Sequence, residues 1–105
     1  MRRGDLYLCD LGHPIGHEQG FQRPVVIVSA TQTVEYGLPL VAPLTRTARG
    51  YPTHVELDGV LPVVSYIQCE QLRVVSTERL LKKLGRVGEI ELMKVETILR
   101  RLLAL

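Results

Sequence analysis

Arg23 is the residue whose type and setting best suit phosphate chemistry. It directly precedes Pro24-Val25-Val26-Ile27-Val28-Ser29 and follows a segment rich in Gly and Gln. A guanidinium at the mouth of a stiff strand can be aimed rigidly, and its fork can hold two phosphate oxygens at once. The alternative is a structural arginine that pairs with Glu18 or Asp10. Thr45 ends the strand candidate Pro43-Leu44-Thr45 and is flanked by Arg46 and Arg49. Its hydroxyl can donate to a phosphate oxygen or initiate a turn. His17 is a residue type suited to proton transfer at neutral pH, or it is a loop histidine bonded to its own backbone.

These residues depend on short strands. Leu6–Cys9 is apolar and bounded by Asp5 and Asp10, which predicts a first strand. Gly12 to Arg23 has no periodicity and reads as a long loop, the kind that is often functional. Pro24–Ser29 is β-branched and nearly continuous, so it is expected to be a central strand buried on both faces, with Pro24 at its first position. Thr31–Leu38 reads as a loop. Pro39–Leu44, Pro52–Leu57, Val63–Gln68 and Leu72–Val75 are further strand candidates. The polar Cys69-Glu70-Gln71 separates the last two, and Asp58-Gly59 marks a turn. Ser76 or Thr77 is expected to cap a short helix running to Leu84 and stopping at Gly85. Leu92, Val95, Leu99 and Leu102 recur at three- and four-residue steps and predict a helix over 88–105. Several strands followed by helices give a mostly-β (α+β) fold: a small twisted antiparallel sheet packed by a terminal helix.

With 105 residues the chain suits one domain, 1–105, whose thin core would gain from dimerisation. Charge is uneven. Residues 1–71 carry five Arg against seven Asp and Glu, net −2, whereas 72–105 carry eight Arg and Lys against four Glu, net +4. A basic C-terminal part is either a solvated helix face or a contact for RNA or an acidic partner. Cys9 and Cys69 lack metal-like spacing and read as two buried thiols in a reducing compartment. Neither a signal peptide nor a membrane-spanning run is visible, so a soluble, cytoplasmic protein is expected.

Six strings in register carry a family resemblance. They are Arg3-Gly4-Asp5-Leu6-Tyr7, Gly16-His17-Glu18-Gln19-Gly20, Arg23-Pro24-Val25-Val26-Ile27-Val28-Ser29, Ala42-Pro43-Leu44-Thr45, Thr53-His54-Val55-Glu56-Leu57 and Cys69-Glu70-Gln71-Leu72-Arg73. In order and spacing the chain resembles the MazF/PemK toxins of type II toxin–antitoxin systems. That resemblance implies an SH3-like, CcdB/PemK-type barrel with a C-terminal helix, usually a homodimer. It also implies metal-independent cleavage of single-stranded RNA by 2′-OH attack, leaving a 2′,3′-cyclic phosphate and a 5′-OH. A cognate antitoxin, expected as a disordered acidic segment, would cover the groove.

The resemblance makes Arg23 and Thr45 catalytic. The sequence lacks the clustered carboxylates of a two-metal nuclease and a His pair for acid–base cleavage, so a fixed cation has to carry much of the rate. His17, Glu18 and Glu70 are candidates for proton transfer or orientation. PemK-like relatives can carry a basic residue two positions before Glu70; Gln68 stands there instead, which favours the Arg/Thr scheme. Gln19 and Gln71 can contact bases, Arg46 and Arg49 can lead RNA in by its phosphates, and Phe21 and Tyr51 can stack bases or simply pack their loops. Ala30-Thr31-Gln32 replaces a longer segment of many relatives, so no relative's cleavage motif transfers. Two alternatives remain: a CcdB-like toxin that poisons gyrase on the same fold, and an inactive binding module.

Overall fold

Val25, Val26 and Ile27 leave no face of their strand for water, so that strand belongs inside a sheet. In the computed structural model, which describes residues 1–105, β2 (Gln22–Ile27) lies between β1 (Asp5–Asp10) and β3 (Leu40–Thr45), antiparallel to both. Val26 enters one core cluster with Leu6, Ala42, Leu44 and Ile67. Val25 and Ile27 enter a second with Cys9, Val34 and Val41. The strand starts at Gln22, earlier than Pro24, because β1 pairs with it as far as Asp10↔Gln22. Arg23 is therefore held inside the ladder opposite Cys9, while the ladder to β3 begins only at Val25.

β3 is shared along its length. Val41, Ala42 and Pro43 pair with β2. Its other edge takes β6 (Arg73–Val74) at Leu40 and Val41, and β5 (Ser65–Gln68) at Leu44 and Thr45. β4 (His54–Leu57) flanks β5, and with β7 (Leu80–Arg86) the sheet runs β4-β5-β3-β2-β1-β7, β6 lying off the path on β3. α2 (Glu89–Leu102) seats Leu92 and Val95 in the first core cluster, with Ile98 and Leu99 packed against it. The predicted apolar face ends there, since Leu102 is exposed. Arg3 ties the helix to the sheet: it pairs with Glu96 and donates from Nε to the Val28 carbonyl at 3.1 Å. No helix is long and apolar enough to cross a membrane.

Two segments depart from expectation. Residues 31–38 contain a one-turn helix, α1 (Thr31–Glu35), anchored by the buried Val34. The predicted helix over 76–84 is instead a 3-10 turn (Thr77–Arg79) followed by β7 (Leu80–Arg86). The capping signal was real, because Ser76 Oγ accepts the Glu78 N–H at 3.3 Å. Helix propensity then loses to the unpaired outer edge of β1, which β7 covers from Asp5↔Arg86 to Cys9↔Leu80. Register shifts between Leu6 and Tyr7 and between Leu8 and Cys9 leave Leu84 and Leu81 without a partner across that ladder.

Cys9 and Cys69 are free and buried in different core clusters. Burial first, and the neighbouring Glu70 charge second, push the Cys69 thiol up to about 11. Both side chains act as small apolar fillers.

Asp5 is a buried carboxylate with a defined pH signature. It accepts the Arg2 N–H at 2.9 Å and Arg86 Nη1 at 3.0 Å, with Lys83 Nζ at 3.6 Å. Burial raises its pKa, but these donors and cations outweigh that and hold it below 3.8. A depressed folded-state pKa gives stability that is complete above the unfolded value and lost as pH falls through the folded one. Asp5→Asn is expected to cost about 1–3 kcal/mol at neutral pH. In paired urea titrations the gap from the wild type should close below pH 3.8 and persist above it; a gap unchanged by acid would refute the assignment.

Candidate active site

The β2–β3 pairing ends at Val25↔Pro43, and its register points beyond that pair. Val25↔Pro43, Val26↔Ala42 and Ile27↔Val41, extended along both strands, set Arg23 across from Thr45 on one face. Both residues line a groove of about 580 Å³ together with Gln19, Phe21, Arg46 and Arg49. Three arginines and no carboxylate line this groove, so it presents positive potential.

Arg23 is half-buried, and its Nε donates to the Gly20 carbonyl at 3.2 Å, leaving the terminal nitrogens for a ligand. It belongs to none of the ion pairs. The carboxylates proposed as structural partners are occupied elsewhere. Asp10 accepts the Gly12 N–H at 2.9 Å and Glu18 the Ile15 N–H at 3.3 Å. Thr45 is 7% exposed, and its Oγ1 accepts the Thr47 N–H at 3.2 Å. That bond makes the turn expected of the structural reading and leaves the O–H free to donate.

A smaller depression of about 230 Å³ holds Glu18, Glu70, Gln71 and Arg73 and shares Gln19 with the groove. Both Glu70 oxygens are engaged: Oε1 accepts from Thr53 Oγ1 at 2.8 Å, and Oε2 lies 2.9 Å from His54 Nε2. Burial raises the Glu70 pKa, but the His54, backbone and Thr53 hydrogen bonds together hold it below the ordinary carboxylate range. So held, it is a poor proton acceptor at neutral pH.

Phe21 lines the groove with its ring exposed, edge-on to His13 at 5.6 Å. Tyr51 lies outside, with its ring centroid 5.1 Å from that of His54. The His17 side chain lines neither the groove nor the depression, and only its carbonyl is engaged.

The profile of the PemK-like, MazF-like toxins of type II toxin–antitoxin systems matches residues 2–103. The chain belongs to this family. Among curated relatives, the toxin is 39% identical to the endoribonuclease MazF9 of Mycobacterium tuberculosis (strain ATCC 25618 / H37Rv), over 95% of this chain and 93% of that protein. It is 37% identical to the endoribonuclease MazF of Staphylococcus epidermidis, over 94% and 88%. Its fold is similar to MazF from Deinococcus radiodurans, with a TM-score of 0.91 at 28% identity over 100% of this chain and 97% of that one. It is likewise similar to a mycobacterial endoribonuclease in complex with its cognate antitoxin, with a TM-score of 0.85 at 27% identity over 100% and 96%. The antiparallel sheet with a C-terminal helix is thus the family's fold.

Sequence reasoning missed part of the toxin's site. Leu61, Pro62, Val63 and Ser65 complete the groove wall, and Thr53 and His54 hold Glu70. Leu61, Pro62 and Val63 gave no signal because an irregular segment carries them, and Ser65 opens β5. His54 had one, since alternation set it on the same face as Glu56 of β4, yet its side chain is only 3% exposed.

The hydroxyl of Thr45 has a direct test. Thr45→Val keeps the shape, removes the donor, and is expected to slow RNA cleavage about 10²-fold with little change in KM. Single-turnover rates on a short RNA would measure this, and a loss below threefold would remove Thr45 from the chemistry.

Proposed function

We propose that this toxin is an endoribonuclease that cuts single-stranded RNA in the Arg23–Thr45 groove without a metal ion. The observation that carries this reading is a guanidinium free of carboxylates, across from a hydroxyl donor, in a cationic groove. In the proposed step the ribose 2′-oxygen bonds to phosphorus as the P–O5′ bond breaks. The 2′-OH proton passes to solvent in the open groove, and the 5′-oxygen takes up a proton as it leaves. Arg23 and the Thr45 hydroxyl stabilise the negative charge on the phosphoryl oxygens. Arg46 and Arg49 draw neighbouring phosphates in, and Phe21 offers a ring for a base to stack on. Glu18 and Glu70 orient the adjoining depression.

Relatives in complex with their antitoxins support an antitoxin partner, and the three arginines of this groove suit an acidic segment that folds over them. The toxin acts as a homodimer in the cytoplasm. The gyrase-poisoning alternative is set aside, since the family match and both curated relatives lie on the endoribonuclease side.

The test is incubation of purified toxin with a mixed RNA pool in EDTA, with the ends mapped. Site-specific cuts ending in cyclic phosphate and 5′-OH are expected, and they should be lost in Arg23→Ala. Cleavage that stops with EDTA and returns with a divalent ion would overturn the metal-independent scheme.

A further inference from the structure

The β1–β2 loop brings Gln19 and Phe21 to the groove, yet His13 to Glu18 are exposed and little of the loop is packed. Its base is closed by two main-chain bonds, Leu11 N–H to the Phe21 carbonyl at 2.8 Å and Phe21 N–H to the Gly12 carbonyl at 2.6 Å. Phe21 is held there at φ 59°, a left-handed conformation that an aromatic residue adopts only when its surroundings impose it. The tip needs another anchor, and Gln71 supplies it from outside. Gln71 Nε2 donates to the His17 carbonyl at 3.1 Å, and Gln71 Oε1 accepts the Gln19 N–H at 3.4 Å. One side-chain amide thus bridges the backbone of residues 17 and 19 much as a neighbouring strand would. Because both partners are main-chain groups of fixed polarity, they also fix which end of the amide is oxygen.

Gln71 can serve as an anchor because its own turn is secured. Cys69, in the same 3-10 turn, is buried, and its N–H donates to the Thr53 carbonyl at 3.2 Å. The latched residue, Gln19, carries a buried Oε1 with no hydrogen-bond partner, on the ridge shared by groove and depression. An unpartnered buried acceptor is costly to keep and gains from a donor brought by a ligand. The edges of RNA bases carry such donors in their N–H groups.

We propose that Gln71 is a positioning residue for substrate selection. By clasping the 17–19 backbone it holds Gln19 Oε1 where the N–H edge of an unpaired base meets it, and it does not itself touch the RNA. This replaces the expectation that Gln71 reads a base, and it rests on the RNA-cleaving reading above. Arg23 and Thr45 are mounted on β2 and β3, so loosening the latch acts on binding and motif choice more than on the chemical step.

The experiment compares the wild type, Gln71→Ala and Gln71→Glu on a short RNA bearing the preferred motif and on a randomised pool. Gln71→Ala removes both bonds. Gln71→Glu keeps the acceptor for Gln19 but sets a carboxylate oxygen against the His17 carbonyl. Both variants are expected to raise KM about tenfold with kcat changed less than about threefold, and to cut a broader set of motifs. Amide exchange at Gln19 should quicken while the thermal midpoint stays near that of the wild type. A KM and motif unchanged in Gln71→Ala overturn the proposal, as does a fall in kcat at unchanged KM. Should Gln71→Ala not fold, Gln71→Glu decides on the same criteria. Wild-type toxin that cuts no RNA at all overturns the RNA-cleaving reading, a failure distinct from that of the latch.

Discussion

Arg23→Ala is expected to slow RNA cleavage by about 10³–10⁵-fold, the range for losing an arginine that stabilises charge on a phosphoryl group. The loss should fall on kcat if Arg46 and Arg49, which line the same groove, hold RNA there as proposed. Arg23→Lys should recover only part of the rate. A lysine keeps the charge but loses both the two-pronged fit to phosphate and the Nε bond to Gly20 that sets the side chain's direction. Single-turnover kinetics on a defined RNA, with circular dichroism to show that the variants fold, measure this. A loss in Arg23→Ala smaller than about tenfold would move the chemistry out of this groove.

Ile67→Ala is expected to destabilise the toxin by about 2–5 kcal/mol, a large part of what a domain of this size holds. Ile67 is fully buried and sits across from Val55 on one side and Leu44 on the other. Its removal opens a cavity in the cluster that also receives Leu92 and Val95 of α2. Leu44 precedes Thr45, so the variant should lose activity on mild warming before its native spectrum is lost. Urea unfolding would measure the change, and a cost below 1 kcal/mol would mean that the neighbours collapse to fill the void.

What the sequence made legible follows the reach of local patterns. The β-branched run at 25–27 has no exposed face and so named the centre of the sheet. The three- and four-residue steps of Leu92, Val95 and Leu99 located the helix, and Gly88 stands at its N-cap. The segment at 80–86 was not legible, since Leu80-Leu81-Lys82-Lys83-Leu84 has good helix propensity and becomes a strand only because a distant strand needs a partner. At the site, the setting of Arg23 pointed to a fixed cation. That Arg23 and Thr45 line one groove follows from how two strands are aligned, which no local pattern states. The role of Gln71 was hidden for a related reason: its partners are main-chain groups of another loop, and a side-chain inventory cannot reveal them.

β7 closes one side of the sheet and leaves its own outer margin open. Lys82 and Lys83 are exposed there, and the register shifts beside Leu81 and Leu84 bend the backbone away from a straight template. Both features discourage a second copy from zipping onto this margin, and an incoming peptide from adding itself as one more strand. At this margin recognition through side chains, where a partner's sequence can be inspected, is favoured over strand addition by any extended chain that drifts past.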